Sequence, residues 1–140
     1  MNILPYQHAF ISWATAQADI EGVALVGSYA RGTATENSDV DLIILTSKRA
    51  RYLENQDWLS LFGEIERSTN ETWGDVKTIR ATYKTGLEIE YNFSTPSWAS
   101  LPVDAGTRRV LNDGVKILYD PTGLLDALRN AVFAEGPAPN

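Results

Sequence analysis

Residues 27–42 read GSYARGTATENSDVDL, and an apolar run lies on either side of them. The run before them, residues 23–26, is short and continuous, a pattern that predicts a buried central strand. The run after them, residues 40–45, is interrupted only by Asp41 and predicts a second strand. A buried strand is therefore followed by a loop rich in glycine and hydroxyl-bearing residues, and the next strand begins where that loop ends.

Several residues of this loop are suited to binding a phosphorylated ligand. Gly27 has no side chain, which allows a tight turn and a close approach of the backbone to a ligand. Ser28 lies where a helix would begin, so its hydroxyl and the neighbouring N–H groups can point at a phosphate. Arg31 can add a fixed positive charge for a polyphosphate, although an exposed helix position is an equally good interpretation.

Two carboxylates open the second strand. Asp39 and Asp41 are two residues apart, so on a strand they project to the same face and converge. Like charges this close repel, and a divalent cation would relieve the repulsion. Oxygen ligands and a phosphate suit Mg²⁺, and two ions about 3.5–4 Å apart can serve both the attacking and the leaving oxygen of an in-line displacement. A third acid is then expected from a neighbouring strand, and Glu88 and Glu90 share the polar face of the alternating run 87–93.

The remaining patterns place helices and a hairpin around these strands. The predicted helices cover residues 4–19 and 52–65, the ambiguous segment 104–111, and a final stretch carrying Leu125, Leu128 and Val132. The predicted strands cover residues 76–83, 87–93 and 115–119, the first two joined by a turn at residues 84–86. Lys77 and Arg80 fall on opposite faces of the first hairpin strand, so one of them is expected to face solvent. This order of elements predicts an α/β (α+β) fold, a mixed β-sheet flanked by helices.

Composition excludes several classes of protein. The 140 residues carry a net charge of −6, from 18 acidic against 12 basic side chains, so one acidic domain is expected, with neither nucleic acid nor an anionic membrane as its main partner. No apolar run approaches the roughly 20 residues that span a bilayer, and no secretory signal is readable at the start, which favours the cytoplasm. The chain has no cysteine and one histidine, so a resident metal would be a hard cation held by carboxylates.

These parts together resemble a known family. Gly27-Ser28, the segment Ala30-Arg31-Gly32 and the segment 38–42 (Ser-Asp-Val-Asp-Leu) are similar to the signature of the polymerase-β-like nucleotidyltransferase superfamily. The resemblance is closest to the minimal nucleotidyltransferases and the aminoglycoside adenylyltransferases. It implies a nucleotidyltransferase domain over residues 1–134, followed by a flexible tail at residues 135–140, which is rich in proline and glycine.

The resemblance also implies roles for the acids. Asp39 and Asp41 are implied to bind Mg²⁺, as two ions. A third acid in the alternating strand would ligate metal or deprotonate the acceptor hydroxyl. Alignment with the adenylyltransferase relatives favours Glu88 for this role, with Glu90 as the second candidate on the same face.

For the nucleotide, the resemblance implies that Gly27 and Ser28 hold the β- and γ-phosphates, and Arg31 and Ser38 are assigned to the same nucleotide site. The implied reaction transfers a nucleoside monophosphate onto a hydroxyl and releases pyrophosphate. Among the triphosphates, ATP is the favoured donor, and AMP is then the group transferred.

The acceptor stays open between a small molecule such as an aminoglycoside and a hydroxyl of a partner protein, as in antitoxin-like enzymes. Antibiotic-modifying relatives carry a further helical domain, so a second subunit, a partner protein or the final strand and helix of this chain are expected to supply the acceptor surface, which slightly favours a protein acceptor. Trp73 and Trp98 could line an acceptor or base pocket, but packing under a loop is the favoured interpretation. A non-catalytic nucleotide-binding or partner-binding module is the alternative to an enzyme.

Overall fold

One six-stranded mixed sheet forms the centre of the computed structural model, which describes residues 2–134 of the chain. Its strands are β1 (Ile20–Val26), β2 (Val40–Thr46), β3 (Ile65–Trp73), β4 (Val76–Tyr83), β5 (Glu88–Ser94) and β6 (Val115–Tyr119). Their order across the sheet is β3-β4-β5-β2-β1-β6. The β2–β5 pair is parallel, and the other neighbouring pairs are antiparallel. The predicted tail at residues 135–140 lies outside the described residues.

Helices pack on both faces of this sheet, which confirms the predicted fold class. They are α1 (Leu4–Thr15), α2 (Ser28–Arg31), α3 (Arg49–Glu54), α4 (Ala105–Asn112) and α5 (Leu124–Ala134), with 3₁₀ turns at Asp57–Phe62 and Pro96–Ala99. An aromatic core joins α1, α3 and the first 3₁₀ turn to one face, and a smaller aliphatic core joins α4 and α5 to the other. No helix within residues 2–134 has the length and apolar character needed to cross a bilayer.

The predicted strands all form, each within three residues of its expected bounds. The predicted helix over residues 52–65 is wrong, because the chain leaves the helix after Glu54 and makes a 3₁₀ turn instead. The indole N–H of Trp58 donates to the carbonyl of Tyr52 at 3.0 Å, the acceptor that residue 56 would need in a continuous α-helix. The sequence analysis also missed β3, whose residues are mostly exposed and carry no apolar alternation.

The aromatic core reaches β5 through Tyr91. Its ring lies 5.6 Å from that of Phe10 and 4.9 Å from that of Trp58. Its hydroxyl accepts from the hydroxyl of Tyr6 at 2.8 Å and lies 2.9 Å from that of Tyr83. Burial raises the pKa of Tyr83 to about 12 and that of Tyr91 well above its ordinary value, so these phenols stay neutral. One face of β5 is thus fixed in the core, which holds its opposite face in place.

Candidate active site

Strand register brings the predicted acids together. In the parallel β2–β5 pair Asp41 lies opposite Glu90. Asp39 stands one residue before β2 rather than inside it, near Glu88 of β5. Because residues two apart on a strand share a face, all four acids lie on the same side of the sheet. The acids at the start of β2 and on β5 therefore lie near one another on one side of the sheet.

Arg80 lies at the centre of this acid cluster. It stands opposite Glu90 in the β4–β5 hairpin and contacts the Glu90 carboxylate. Its Nη1 is 3.2 Å from Oδ2 of Asp39, and its Nη2 is 3.3 Å from Oε2 of Glu71 on β3. The strand alternation left open whether Arg80 or Lys77 faces solvent. Counting the hairpin register outward from the turn at residues 84–86 would have placed Arg80 across from Glu90.

Asn92 positions Asp41. Its Nδ2 donates to Oδ1 of Asp41 at 2.6 Å and to the carbonyl of Leu42 at 2.9 Å, while its Oδ1 accepts from the hydroxyl of Thr78 at 2.6 Å. The amide thus orients the Asp41 carboxylate by holding its Oδ1. Asn92 shares the polar face of the run 87–93 with Glu88 and Glu90, but the sequence pattern alone indicated no role for it.

The acids resist being charged together. Burial raises the pKa of Asp41, and hydrogen bonds with Asn92 and Glu90 only partly oppose the rise. Burial and the nearby charge of Asp41 raise the pKa of Glu90. A hydrogen bond with Asp39 raises the pKa of Glu88, and desolvation adds to it. Like-charged groups brought this close are stabilised by a proton or by a cation.

Because ionising these neighbouring acids is unfavourable, we expect the stability of the folded domain to depend on pH. The folded-state pKa of Asp41 exceeds its unfolded value, so its stabilising contribution is present at low pH and is lost as pH rises through the raised pKa. Asp41→Asn removes that loss. In metal-free buffer the difference in Tm between this variant and the wild type should grow by a few degrees, in favour of the variant, as the pH rises from about 4 to about 7. Thermal unfolding followed by circular dichroism measures the difference, and a difference that does not change with pH contradicts the raised pKa.

The donor set fits a hard divalent cation by its chemistry. Asp39 and Asp41 present carboxylate oxygens, the ligands that Mg²⁺ prefers, from adjacent positions on one face. Within residues 2–134, no three acidic or histidine side chains already converge in a metal-binding arrangement. The Arg80 guanidinium balances part of the charge of Asp39 and Glu90.

The Gly27 turn borders the acid cluster. Gly27 has φ 75° and ψ −154°, a conformation that favours glycine, and a Cβ there would lie 3.5 Å from Oδ2 of Asp41. Ser28 begins α2 directly after it. Two other residues assigned to the nucleotide bond to the protein itself: Nη1 of Arg31 donates to the carbonyl of Asp113 at 3.3 Å, and the hydroxyl of Ser38 accepts from the N–H of Thr35 at 2.8 Å.

A cleft of about 370 Å³ opens beside Asp41. Its polar side is formed by Asp41, Arg80, Glu90 and Asn92, and its apolar side by Trp73, Val76, Trp98 and Val110. The expectation that Trp73 packs under a loop is wrong, because this side chain is 62% exposed at the end of β3. Trp98 packs against the aliphatic core and lines the cleft as well. Glu88 borders a separate depression together with Ser38.

A family model described as "nucleotidyltransferase domain" matches residues 13–91, more than half of the chain. The chain belongs to this nucleotidyltransferase domain family. The matched segment contains the Gly27 turn, both aspartates, Arg80, and Glu88 with Glu90. The resemblance inferred from the sequence motif is therefore confirmed.

Solved structures with a similar fold have low sequence identity to this nucleotidyltransferase domain. An aminoglycoside 6-adenyltransferase from Bacillus subtilis aligns with a TM-score of 0.53 at 17% identity, over 65% of this chain and 34% of its own. The chain thus spans about a third of the length of that protein. No curated protein sequence matches significantly.

Two further structures align less well. A toxin–antitoxin structure with AMP-PNP gives a TM-score of 0.49 at 14% identity, over 91% of this chain and 84% of the other. A cytoplasmic RNA terminal U-transferase gives 0.45 at 19% identity, over 64% of this chain and 26% of the other. At TM-scores below 0.5, these two similarities support no conclusion about this chain.

Proposed function

We propose that this domain transfers a nucleoside monophosphate from a nucleoside triphosphate onto an acceptor hydroxyl. The expected donor is ATP, and the expected group transferred is AMP. The observation that carries the proposal is the meeting of Asp39, Asp41 and Glu90 on one face of the sheet, beside the Gly27 turn. Membership of the nucleotidyltransferase family and the Gly-Ser…Ser-Asp-x-Asp-Leu motif support the reaction class. The adenylyl group is favoured by the motif's resemblance to adenylyltransferases.

In the proposed reaction the acceptor oxygen attacks the α-phosphorus, the bond from that phosphorus to its bridging oxygen breaks, and pyrophosphate leaves. Asp39 and Asp41 would hold Mg²⁺, which when bound neutralises charge that develops on the phosphate oxygens. The turn at Gly27 and Ser28 would hold the phosphates of the leaving group. Asn92 would keep Asp41 oriented throughout, since it fixes one oxygen of that carboxylate. Such catalysis rests on positioning and charge neutralisation.

We propose Glu90 as the third acid. It lies opposite Asp41 in the strand register and lines the cleft, whereas Glu88 lies near Asp39 and borders another depression. As a general base Glu90 would take the proton of the acceptor hydroxyl, and burial raises its pKa toward the working pH, which suits that role.

Glu90→Gln is therefore expected to lower kcat about 100-fold or more, the usual contribution of a positioned acid or base. Glu88→Gln, the matched change two residues away on the same face, is expected to lower kcat less than about tenfold. Pyrophosphate release from ATP measures both, with circular dichroism as the check on folding. The reverse ranking would transfer the role to Glu88.

For the acceptor we propose a small molecule rather than a protein hydroxyl. The cleft beside Asp41, at about 370 Å³, falls in the size range of small-molecule sites, about 300–1,000 Å³. Trp73 and Trp98 line the same cleft as the acids, and aromatic side chains suit an organic ring bearing a hydroxyl. The Bacillus subtilis structure of similar fold is named for an aminoglycoside acceptor.

The acceptor class is tested by incubating the protein with labelled ATP, Mg²⁺ and a panel of hydroxyl compounds that begins with aminoglycosides. A labelled small molecule supports the proposal. A label found only on an added protein overturns the acceptor class while keeping the reaction. If ATP with Mg²⁺ raises the Tm and no acceptor yields pyrophosphate, the domain is a binding module instead.

A further inference from the structure

Arg80 joins two acids of the proposed site to one acid outside it. Asp39 and Glu90 belong to the site, and Arg80 contacts both. Glu71 stands on the edge strand β3 and contacts the other guanidinium nitrogen. The Arg80 guanidinium thus connects the acids that would act with Mg²⁺ to Glu71, a carboxylate that has no part in the transfer reaction.

The Arg80 side chain carries a permanent charge and is only partly buried. A guanidinium does not lose its proton in a protein, so it can leave the acids only by moving. The Arg80 side chain is 39% exposed and that of Glu71 is 33% exposed, so neither is locked by packing. A side chain held at one end by Glu71 can swing away from Asp39 and Glu90 without giving up every ion pair.

We propose that Arg80 is the resident counter-cation of the acid cluster, which a divalent cation must displace from Asp39 and Glu90, and that Glu71 retains the displaced guanidinium. The inference rests on the proposed function, since it concerns the same acids. Arg80 is here a positioning residue: it holds the acids together without metal and sets how readily metal enters.

The direct consequence is competition between a guanidinium and a metal ion for the same oxygens. Arg80→Gln removes the competitor, so Mn²⁺ alone should bind about tenfold more tightly than to the wild type, while the metal-free Tm falls. Arg80→Lys keeps the positive charge and should return both quantities toward their wild-type values. Arg129→Gln removes an exposed charge on α5 that pairs with Asp126, and should change the Mn²⁺ affinity less than about twofold.

Glu71 provides a second, independent readout. In the wild-type background Glu71→Gln should weaken Mn²⁺ binding several-fold, because the displaced Arg80 has lost its other partner. In the Arg80→Gln background the same change should have almost no effect, since no guanidinium remains to be retained. This double-mutant cycle separates retention of Arg80 from the general loss of a negative charge, which would act equally in both backgrounds.

The experiment is a Mn²⁺ titration followed by electron paramagnetic resonance, without nucleotide, on the wild type and these variants. Tighter binding by Arg80→Gln together with a non-additive Glu71 effect supports the displacement. Equal or weaker binding by Arg80→Gln overturns it. Asp39→Asn is included so that a failure of the proposed metal site can be distinguished from a failure of the proposed role of Arg80. Wild-type Mn²⁺ binding that Asp39→Asn does not weaken removes the proposed metal site. Binding that Asp39→Asn weakens and Arg80→Gln leaves unchanged removes only the role of Arg80.

Discussion

Asp41→Asn is expected to reduce nucleotide transfer by about a thousandfold or more while the domain stays folded. Asn has the shape of Asp and keeps the oxygen that accepts from Asn92, so the local structure is preserved. It loses the charge that would bind the cation, and a thousandfold loss corresponds to about 4 kcal/mol of transition-state stabilisation, within what a bound metal supplies. Pyrophosphate release from ATP with Mg²⁺ and an active acceptor is the measurement.

The matched control for this change is Asp57→Asn, which alters an exposed aspartate in the 3₁₀ turn at Asp57–Phe62, packed with the opposite face of the sheet. It should leave turnover unchanged. If Asp41→Asn retains turnover within tenfold of the wild type, Asp41 does not hold the catalytic cation and the proposed mechanism is wrong.

Tyr91→Ala is expected to lower the free energy of unfolding by about 3–5 kcal/mol, the range for truncating a buried aromatic side chain. The substitution removes ring contacts with Phe10 and Trp58 and the hydroxyl that Tyr6 and Tyr83 bond. A loss of this size is a large part of the 5–15 kcal/mol that typical domains possess. Urea denaturation followed by tryptophan fluorescence and circular dichroism measures it.

Tyr91→Phe separates packing from hydrogen bonding at the same position. It keeps the ring and leaves the hydroxyls of Tyr6 and Tyr83 without this partner, which should cost about 1–2 kcal/mol. A cost below about 1 kcal/mol for Tyr91→Ala would show that β5 is not fixed by the aromatic core.

Much of the site follows from local patterns in the sequence. The alternation across residues 87–93 is enough to place Glu88 and Glu90 on one face, because side-chain direction in a strand has a period of two. The spacing of Asp39 and Asp41 gives their common direction in the same way. The observed parallel β2–β5 pairing then brings these acids together.

The features that the sequence analysis missed depend on contacts between distant segments. Arg80 gained its position from pairing with two different strands, and Glu71 lies on β3, a strand whose polar residues carry no periodic signal. The predicted helix over residues 52–65 failed for a similar reason. Its apolar spacing is helical, but the indole of Trp58 takes a backbone acceptor and Gly63, at φ 144°, ends the turn.

The central claim is that Asp39 and Asp41 hold a divalent cation beside the Gly27 turn. Anomalous diffraction from a crystal grown with Mn²⁺ and a non-hydrolysable ATP analogue tests it most directly. The account predicts an anomalous peak within coordination distance of both Asp39 and Asp41, with the triphosphate against Gly27 and Ser28. A nucleotide bound elsewhere, or a manganese peak that neither aspartate touches, would contradict it.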